Sequence, residues 1–170
     1  EFNKHPLGVP KAQFFKNFII SQTHDELVII DQHAAHERII FEKLKSQKEK
    51  GKIPIQELLM PEILETTEPE VEKLMENQQI LRMLGIEIEN FGLKSVCIRG
   101  IPAILGDVNP KKLLEDIFQE IKKYETMDEL IKKIDNVFSS MSCHASVRSG
   151  RILKYEEMNF LLREMEKTPN

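Results

Sequence analysis

Apolar positions recur along this chain with two different periods, and the switches between them mark out its elements. From Gln13 to Ser21 and from Glu26 to Ile30 the sequence is β-rich, and the short polar run Gln22-Thr23-His24-Asp25 between them suits a hairpin. From Ala34 to Lys50 there is no Gly or Pro, Ile40, Phe41 and Leu44 share one helical face, and lysines gather at the end before Gly51. That pattern predicts a helix whose dipole is complemented at its C-terminus. Thr67-Glu68-Pro69-Glu70 fits a capping box, and Val71, Leu74, Leu81 and Leu84 then recur at helical spacing, predicting a helix over 68–84. Ile86–Glu89 and Leu93–Arg99 flank Asn90-Phe91-Gly92 and predict a strand pair joined by a tight turn. Asn109-Pro110 opens a helix to about Tyr124. Thr126-Met127-Asp128-Glu129 is a second capping box, ahead of a long helix carrying Leu130, Ile131, Ile134, Val137, Phe138 and Met141. A break at Ser149-Gly150 precedes a last helix that buries Met158, Leu161, Leu162 and Met165. The order of elements predicts an α+β fold: a discontinuous outer lobe, residues 1–66 plus 137–170, with a smaller α/β lobe, 67–136, inserted into it.

Composition narrows the classes. At 170 residues, 41% hydrophobic and 31% charged, the chain has material for one core or two small ones. Its longest unbroken apolar run, Leu27–Ile30, is far short of the roughly 20 residues of a membrane-spanning helix, so no membrane partner is expected. Cys97 and Cys143 are too few for a disulfide framework, which favours a reducing intracellular compartment. The formal net charge of -4 excludes a broadly basic nucleic-acid clamp, because affinity drawn from many phosphates requires an excess of Lys and Arg. Any DNA contact is local. The stretch from Ile53 to Asn90 holds nine acidic side chains against two basic ones, and its acidic helix around Glu68 to Glu76 reads as a solvated face. The chain opens at Glu1-Phe2 and stops at Thr168-Pro169-Asn170 behind an amphipathic helix, which reads as an excised piece of a longer protein.

The densest chemistry lies in Asp31-Gln32-His33-Ala34-Ala35-His36-Glu37-Arg38-Ile39-Ile40-Phe41-Glu42, where a strand gives way to a helix. His33 and Glu37 stand at i and i+4, so an imidazole nitrogen and a carboxylate can converge on one cation. Asp31 offers a second carboxylate. Glu42 is five residues beyond Glu37, about 140° round the helix, which suits a supporting or structural role. The same residues also read without a ligand, with Asp31 capping the helix and His36, Glu37 and Arg38 as solvated surface, and the pattern alone leaves both readings open. Zinc proteases need His-Glu-x-x-His or its inverse, and this segment is neither.

Asp-Gln-His-Ala, two residues, Glu37, four residues, Glu42 resembles the signature of the endonuclease-type MutL mismatch-repair family, in its C-terminal domain. The resemblance extends over the Gln13-Phe14 strand, Leu27–Glu42, Leu84–Pro102 and Ser142-Cys143-His144-Ala145-Ser146, which stands where the family has an Ala-Cys-Arg-like motif. It implies a homodimeric, metal-dependent DNA nickase with an N-terminal ATPase lobe elsewhere, so ATP acts only through that lobe. His33, Glu37 and Cys143 would be the metal ligands and Asp31, His33 and Glu37 the catalytic set. A thiolate beside imidazole and carboxylate favours Zn²⁺ or Mn²⁺, with Mg²⁺ the harder alternative. Without the resemblance Cys143 reads as a small buried hydrophobe; Cys97 keeps that reading, as a strand-core thiol. His144 departs from the basic residue usual after the cysteine. The family's terminal Cys-Pro-His-Gly-Arg-Pro-type motif is absent, so the metal site of this chain is expected to be incomplete, its metal binding weak and its nicking poor.

Gln56-Glu57-Leu58-Leu59-Met60-Pro61 has the form of peptide that docks in the groove of the bacterial sliding clamp, with Gln56 at the rim and Leu58, Leu59, Met60 and Pro61 toward the pockets. On spacing alone such a hexapeptide is also an ordinary edge strand. The family implies the clamp, DNA and, through the intact protein, the mismatch-recognition protein as partners, and a cytoplasmic, nucleoid-associated location. Arg148, Arg151 and Lys154 form a candidate phosphate-contacting patch or a solvated helix junction. A rival reading is a non-catalytic dimerisation and clamp-binding module, and a third is an unrelated metalloprotein.

Overall fold

The computed structural model describes residues 5–145 and 150–169. The chain is α+β and divides into two compact units, Glu1–Glu42 with Ala145–Asn170, and Lys43–His144. The expected lobe boundaries at 66/67 and 136/137 differ from these. Ile55–Glu65 pairs with Ser95–Pro102, which takes it into the second unit, and Lys45 Nζ meets Asp135 Oδ2 there at 3.3 Å.

In the first unit, β1 (Val9–Phe14), β2 (Phe18–Gln22) and β3 (Leu27–Asp31) form an antiparallel sheet in that order. The expected strand over 13–21 is two strands, because the chain reverses at Phe15 and Lys16, with φ of 52° and 54°. The Asn17 N–H closes this turn on the Phe14 carbonyl at 3.0 Å. Neither residue is the Gly or Asn that usually signals such a turn. The second hairpin falls as expected: Gln22 pairs with Leu27, and Thr23 Oγ1 accepts from the Glu26 N–H at 2.9 Å.

Helix α1 (Gln32–Glu49) follows β3 without a loop, and α7 (Tyr155–Lys167) packs against β1. Ile19, Ile30, Ala35, Ile39, Met158, Leu161 and Leu162 form the core of this unit. Met165, expected to be buried, lies partly buried at its edge. Glu166 ties the lead-in to α7, accepting from the Leu7 N–H at 2.9 Å and pairing with Arg163 Nε at 3.1 Å. Gly8 has φ +70°, and a Cβ there would run into the Gln22 carbonyl, so only glycine fits.

In the second unit, β4 (Ile55–Glu65), β5 (Glu87–Asn90) and β6 (Ser95–Pro102) form a sheet in the order β4-β6-β5. Val96, Cys97 and Ile98 are buried in succession, so β6 is covered on both faces and Cys97 is a strand-core thiol as expected. The helix expected over 68–84 is two, α2 (Glu68–Glu76) and α3 (Gln78–Met83), broken at Asn77, whose side-chain amide donates to the Lys73 carbonyl at 2.8 Å. Helix α4 (Pro110–Ile121) starts under Asn109, which accepts from the Lys112 N–H at 3.0 Å. The long helix expected after Thr126 is α5 (Met127–Lys132) and α6 (Ile134–Ala145), separated at Lys133.

The box at Thr67 is half made. The Thr67 hydroxyl caps no N–H, whereas Glu70 reaches back to the Thr66 and Thr67 hydroxyls and the Thr67 backbone. The Thr66 hydroxyl is the main cause that lowers the Glu70 pKa, opposed by burial and helped by the Thr67 contacts and Lys122. A lowered carboxyl contributes stability above its ordinary value of 4.5 and loses it as the pH falls through the folded value. Glu70→Gln is therefore expected to flatten the acid limb of the melting-temperature profile below pH 4.5, which thermal melts across that range measure.

Candidate metal centre

The site grows from the junction of β3 and α1. Alternation buries Ile30 and leaves Asp31 at the strand end, where its Oδ1 accepts from the backbone N–H of His33 at 2.8 Å and of Ala34 at 3.1 Å. Asp31 is thus the N-cap of α1, and its negative charge faces the positive end of the helix dipole. Its other oxygen, Oδ2, accepts from Asn17 Nδ2 at 3.4 Å. One turn along, His33 Nε2 lies 3.2 Å from Glu37 Oε1, with side chains 42% and 28% exposed. The i, i+4 geometry brings the pair together as expected, in reach of solvent.

Glu42 is engaged elsewhere. Arg38 Nη2 meets Glu42 Oε1 at 2.8 Å and also donates to the Pro169 carbonyl at 3.1 Å, while its guanidinium lies 5.8 Å from the centroid of the Phe41 ring.

Three residues that hold this junction were not legible in the sequence. Gln32 is 5% exposed; its N–H donates to the Asn17 carbonyl at 2.7 Å, and its Oε1 accepts from Gln13 Nε2 at 2.5 Å. Gln13 Nε2 also donates to the Arg151 carbonyl at 3.0 Å, and Gln13 Oε1 accepts from the Leu153 N–H at 2.9 Å. One amide therefore fastens β1, the start of α1 and the approach to α7, and Asn17 adds the turn. The only signal was polar residues inside β-rich or helix-start positions, which does not name a partner 138 residues away.

Cys143 belongs to the second unit, on α6, with its thiol exposed, so the small buried hydrophobe it otherwise reads as does not describe it. His144 Nε2 faces Asp116 Oδ2 at 3.0 Å, a polar contact within that unit. Arg151 is engaged by Glu157 at 2.5 Å, and Arg148 of the candidate basic patch lies outside the described residues. Backbone contact at Lys154 is the main cause that lowers the Glu157 pKa, with Arg151 adding to it against burial. Among the described residues no group of three or more His, Cys, Asp or Glu side chains is gathered to hold a metal ion.

His33 and Glu37 nevertheless fit a divalent cation as two of its ligands. His33 Nε2 and Glu37 Oε1 are in direct contact at 3.2 Å, so both donor atoms are already gathered at one place in reach of solvent. Imidazole and carboxylate are donor types that suit Zn²⁺ or Mn²⁺.

Gln56–Pro61 lies on β4, as the edge-strand reading anticipates, but the ladder breaks there. Glu57 pairs with Gly100 and Glu62 with Ile98, so Leu58 to Pro61 stand opposite Arg99 alone. Leu59 is fully exposed and Met60 82% exposed. Among the described residues no helix is long and apolar enough to cross a membrane.

Residues 11–153 match the family described as MutL C terminal dimerisation domain. The chain is 47% identical over 164 residues to the DNA mismatch repair protein MutL of Chelativorans sp., covering 96% of this chain and 26% of that protein. It is 47% identical over 165 residues to that of Afipia carboxidovorans, covering 97% and 27%, and 46% identical over 169 residues to that of Brucella anthropi, covering 99% and 27%. The chain thus spans about a quarter of the length of these relatives.

Proposed function

Because the chain belongs to the MutL DNA mismatch-repair family and matches its C-terminal dimerisation domain, we propose that it is the metal-dependent nicking lobe of a dimeric mismatch-repair protein. The observation that carries this reading is the His33–Glu37 pair, 3.2 Å apart on the first turns of α1 and held in place by the Asp31 cap. A divalent ion bound by these donors lowers the pKa of water and stabilises charge on phosphoryl oxygens during phosphodiester hydrolysis. His33 and Glu37 would hold and orient it. Asp31 fixes the His33 backbone through Oδ1, and its carboxylate would serve as a proton acceptor beside such an ion.

Asp31→Asn separates these two tasks. Asparagine caps a helix as well as aspartate does, so the melting free energy is expected to stay within about 0.5 kcal/mol. Nicking of supercoiled plasmid by the intact protein with Mn²⁺ is expected to be lost. Full nicking by Asp31→Asn would reduce Asp31 to a cap; no nicking by the wild type under any divalent metal would leave the non-catalytic dimerisation and clamp-binding module.

The dimer has an apolar surface to use. Phe14, Phe18, Leu27 and Ile29 are 51%, 36%, 66% and 62% exposed, and the pairings Phe14↔Phe18 and Ile20↔Ile29 place them on the sheet face opposite the buried Ile19 and Ile30. Such a face favours burial against a second copy.

The broken ladder at Leu58–Pro61 supports docking on the sliding clamp, because the backbone there is out of register and the apolar side chains are presented to solvent. A domain of net charge -4 gains by this route a way onto DNA that a ring already encircles. The double variant Leu59→Ala, Met60→Ala is expected to abolish clamp binding in surface plasmon resonance while shifting stability by no more than about 0.5 kcal/mol, as exposed substitutions do.

A further inference from the structure

The geometry points to a DNA contact at the Phe14–Asn17 turn, made by the Phe15 ring and the Lys16 ammonium beside the nicking site. This deepens the nickase reading and rests on it for the identity of the substrate. Phe15 and Lys16 both hold left-handed backbone, φ 52° and 54°. That conformation costs an L-residue about 1–2 kcal/mol, and Asn-Gly would fill it more cheaply. Packing does not repay the strain, since Phe15 is 88% exposed and Lys16 is exposed as well. A large ring and a cation are held out in solvent on a costly turn, and folding gives no reason for either.

The position supplies the reason. The turn ends at Asn17, whose carbonyl accepts from the Gln32 N–H at 2.7 Å and whose amide faces Asp31 Oδ2 at 3.4 Å. The tip is therefore two residues from a side chain that touches the Asp31 cap of His33. A ring that stacks on a base or wedges into a base step, beside a cation for the neighbouring phosphate, is the usual equipment for gripping a strand. A chain of net charge -4 depends on such local contacts. A second copy of the chain is the less suitable occupant of the tip, because Lys16 adjoins the ring and interface cores are depleted of lysine.

The test is fluorescence anisotropy of this chain on a labelled 30-base-pair duplex (about three helical turns) in EDTA, so that no metal takes part. Phe15→Ala is expected to weaken binding about tenfold, within the range of one lost stacking contact, and Phe15→Tyr to restore it. Lys16→Ala is expected to lower the slope of log affinity on log salt by about one. Phe15→Asn, which tolerates left-handed backbone, separates loss of contact from loss of fold: it is expected to melt no lower than the wild type yet bind as weakly as Phe15→Ala. Wild-type affinity in Phe15→Ala overturns the proposal, as does a shift of Phe15→Ala from dimer to monomer in sedimentation, which assigns the ring to the subunit interface. Zn²⁺ affinity measured in parallel keeps the two readings apart. Loss of DNA binding in Phe15→Ala with no metal bound by the wild type upholds the contact and removes the nickase reading, whereas metal binding with unchanged DNA affinity does the reverse.

Discussion

Glu37→Ala is expected to cut metal-dependent nicking of supercoiled DNA by the intact protein more than about 100-fold, since even groups that merely hold a metal ligand account for about 10–100-fold. The fold is expected to survive. Glu37 is 28% exposed, and its contact with His33 is an i, i+4 helix pair of the kind that contributes about 0.2–0.5 kcal/mol. A melting free energy within about 0.5 kcal/mol of the wild type, together with lost nicking, would assign Glu37 to the chemistry. Glu42→Ala gives the contrast. Its carboxylate is held by Arg38, not by the His33–Glu37 pair, so nicking is expected to fall less than in Glu37→Ala.

The largest effect on stability is expected at Phe138. Its ring is fully buried on α6, with Val137 and Met141 fully buried beside it in sequence. Phe138→Ala leaves a cavity and removes apolar burial, at a cost of about 3–5 kcal/mol. Against a domain stability of about 5–15 kcal/mol that is a large share, and calorimetry is expected to show a fall of at least about 6 °C in melting temperature. Ser139→Ala, at the exposed neighbouring position, is expected to shift the melt by only a degree or two, within about 0.5 kcal/mol.

The parts of this fold that were legible are those fixed by local geometry. The His33–Glu37 approach follows from helical spacing, and the separate place of Glu42 follows from the same angle. Asn109 and Thr126 cap their helices because a side-chain oxygen at that position meets an unpaired N–H a few residues on. The breaks at Asn77 and Lys133 were hidden, since the apolar period runs through both and neither adjoins Gly or Pro. The turn at Phe15-Lys16 was hidden for a related reason, because strain leaves no compositional mark.

Long-range pairing was also invisible to periodicity. The β4–β6 ladder moves residues 55–65 into the second unit, and the Gln13 amide joins segments distant in sequence. The family resemblance covered what spacing left open: residues 11–153 match the dimerisation domain, the identity the Asp-Gln-His-Ala segment suggested.

The proposed nicking chemistry depends on His33 and Glu37 binding a divalent metal. That binding is measured by calorimetric titration of Zn²⁺ and Mn²⁺ into this chain and into its His33→Ala and Glu37→Ala variants. Metal binding by the wild type and its loss in both variants are expected, with the dimer retained in sedimentation throughout. Equal metal binding in wild type and variants would contradict that dependence, leaving dimerisation and clamp docking as the work of this domain.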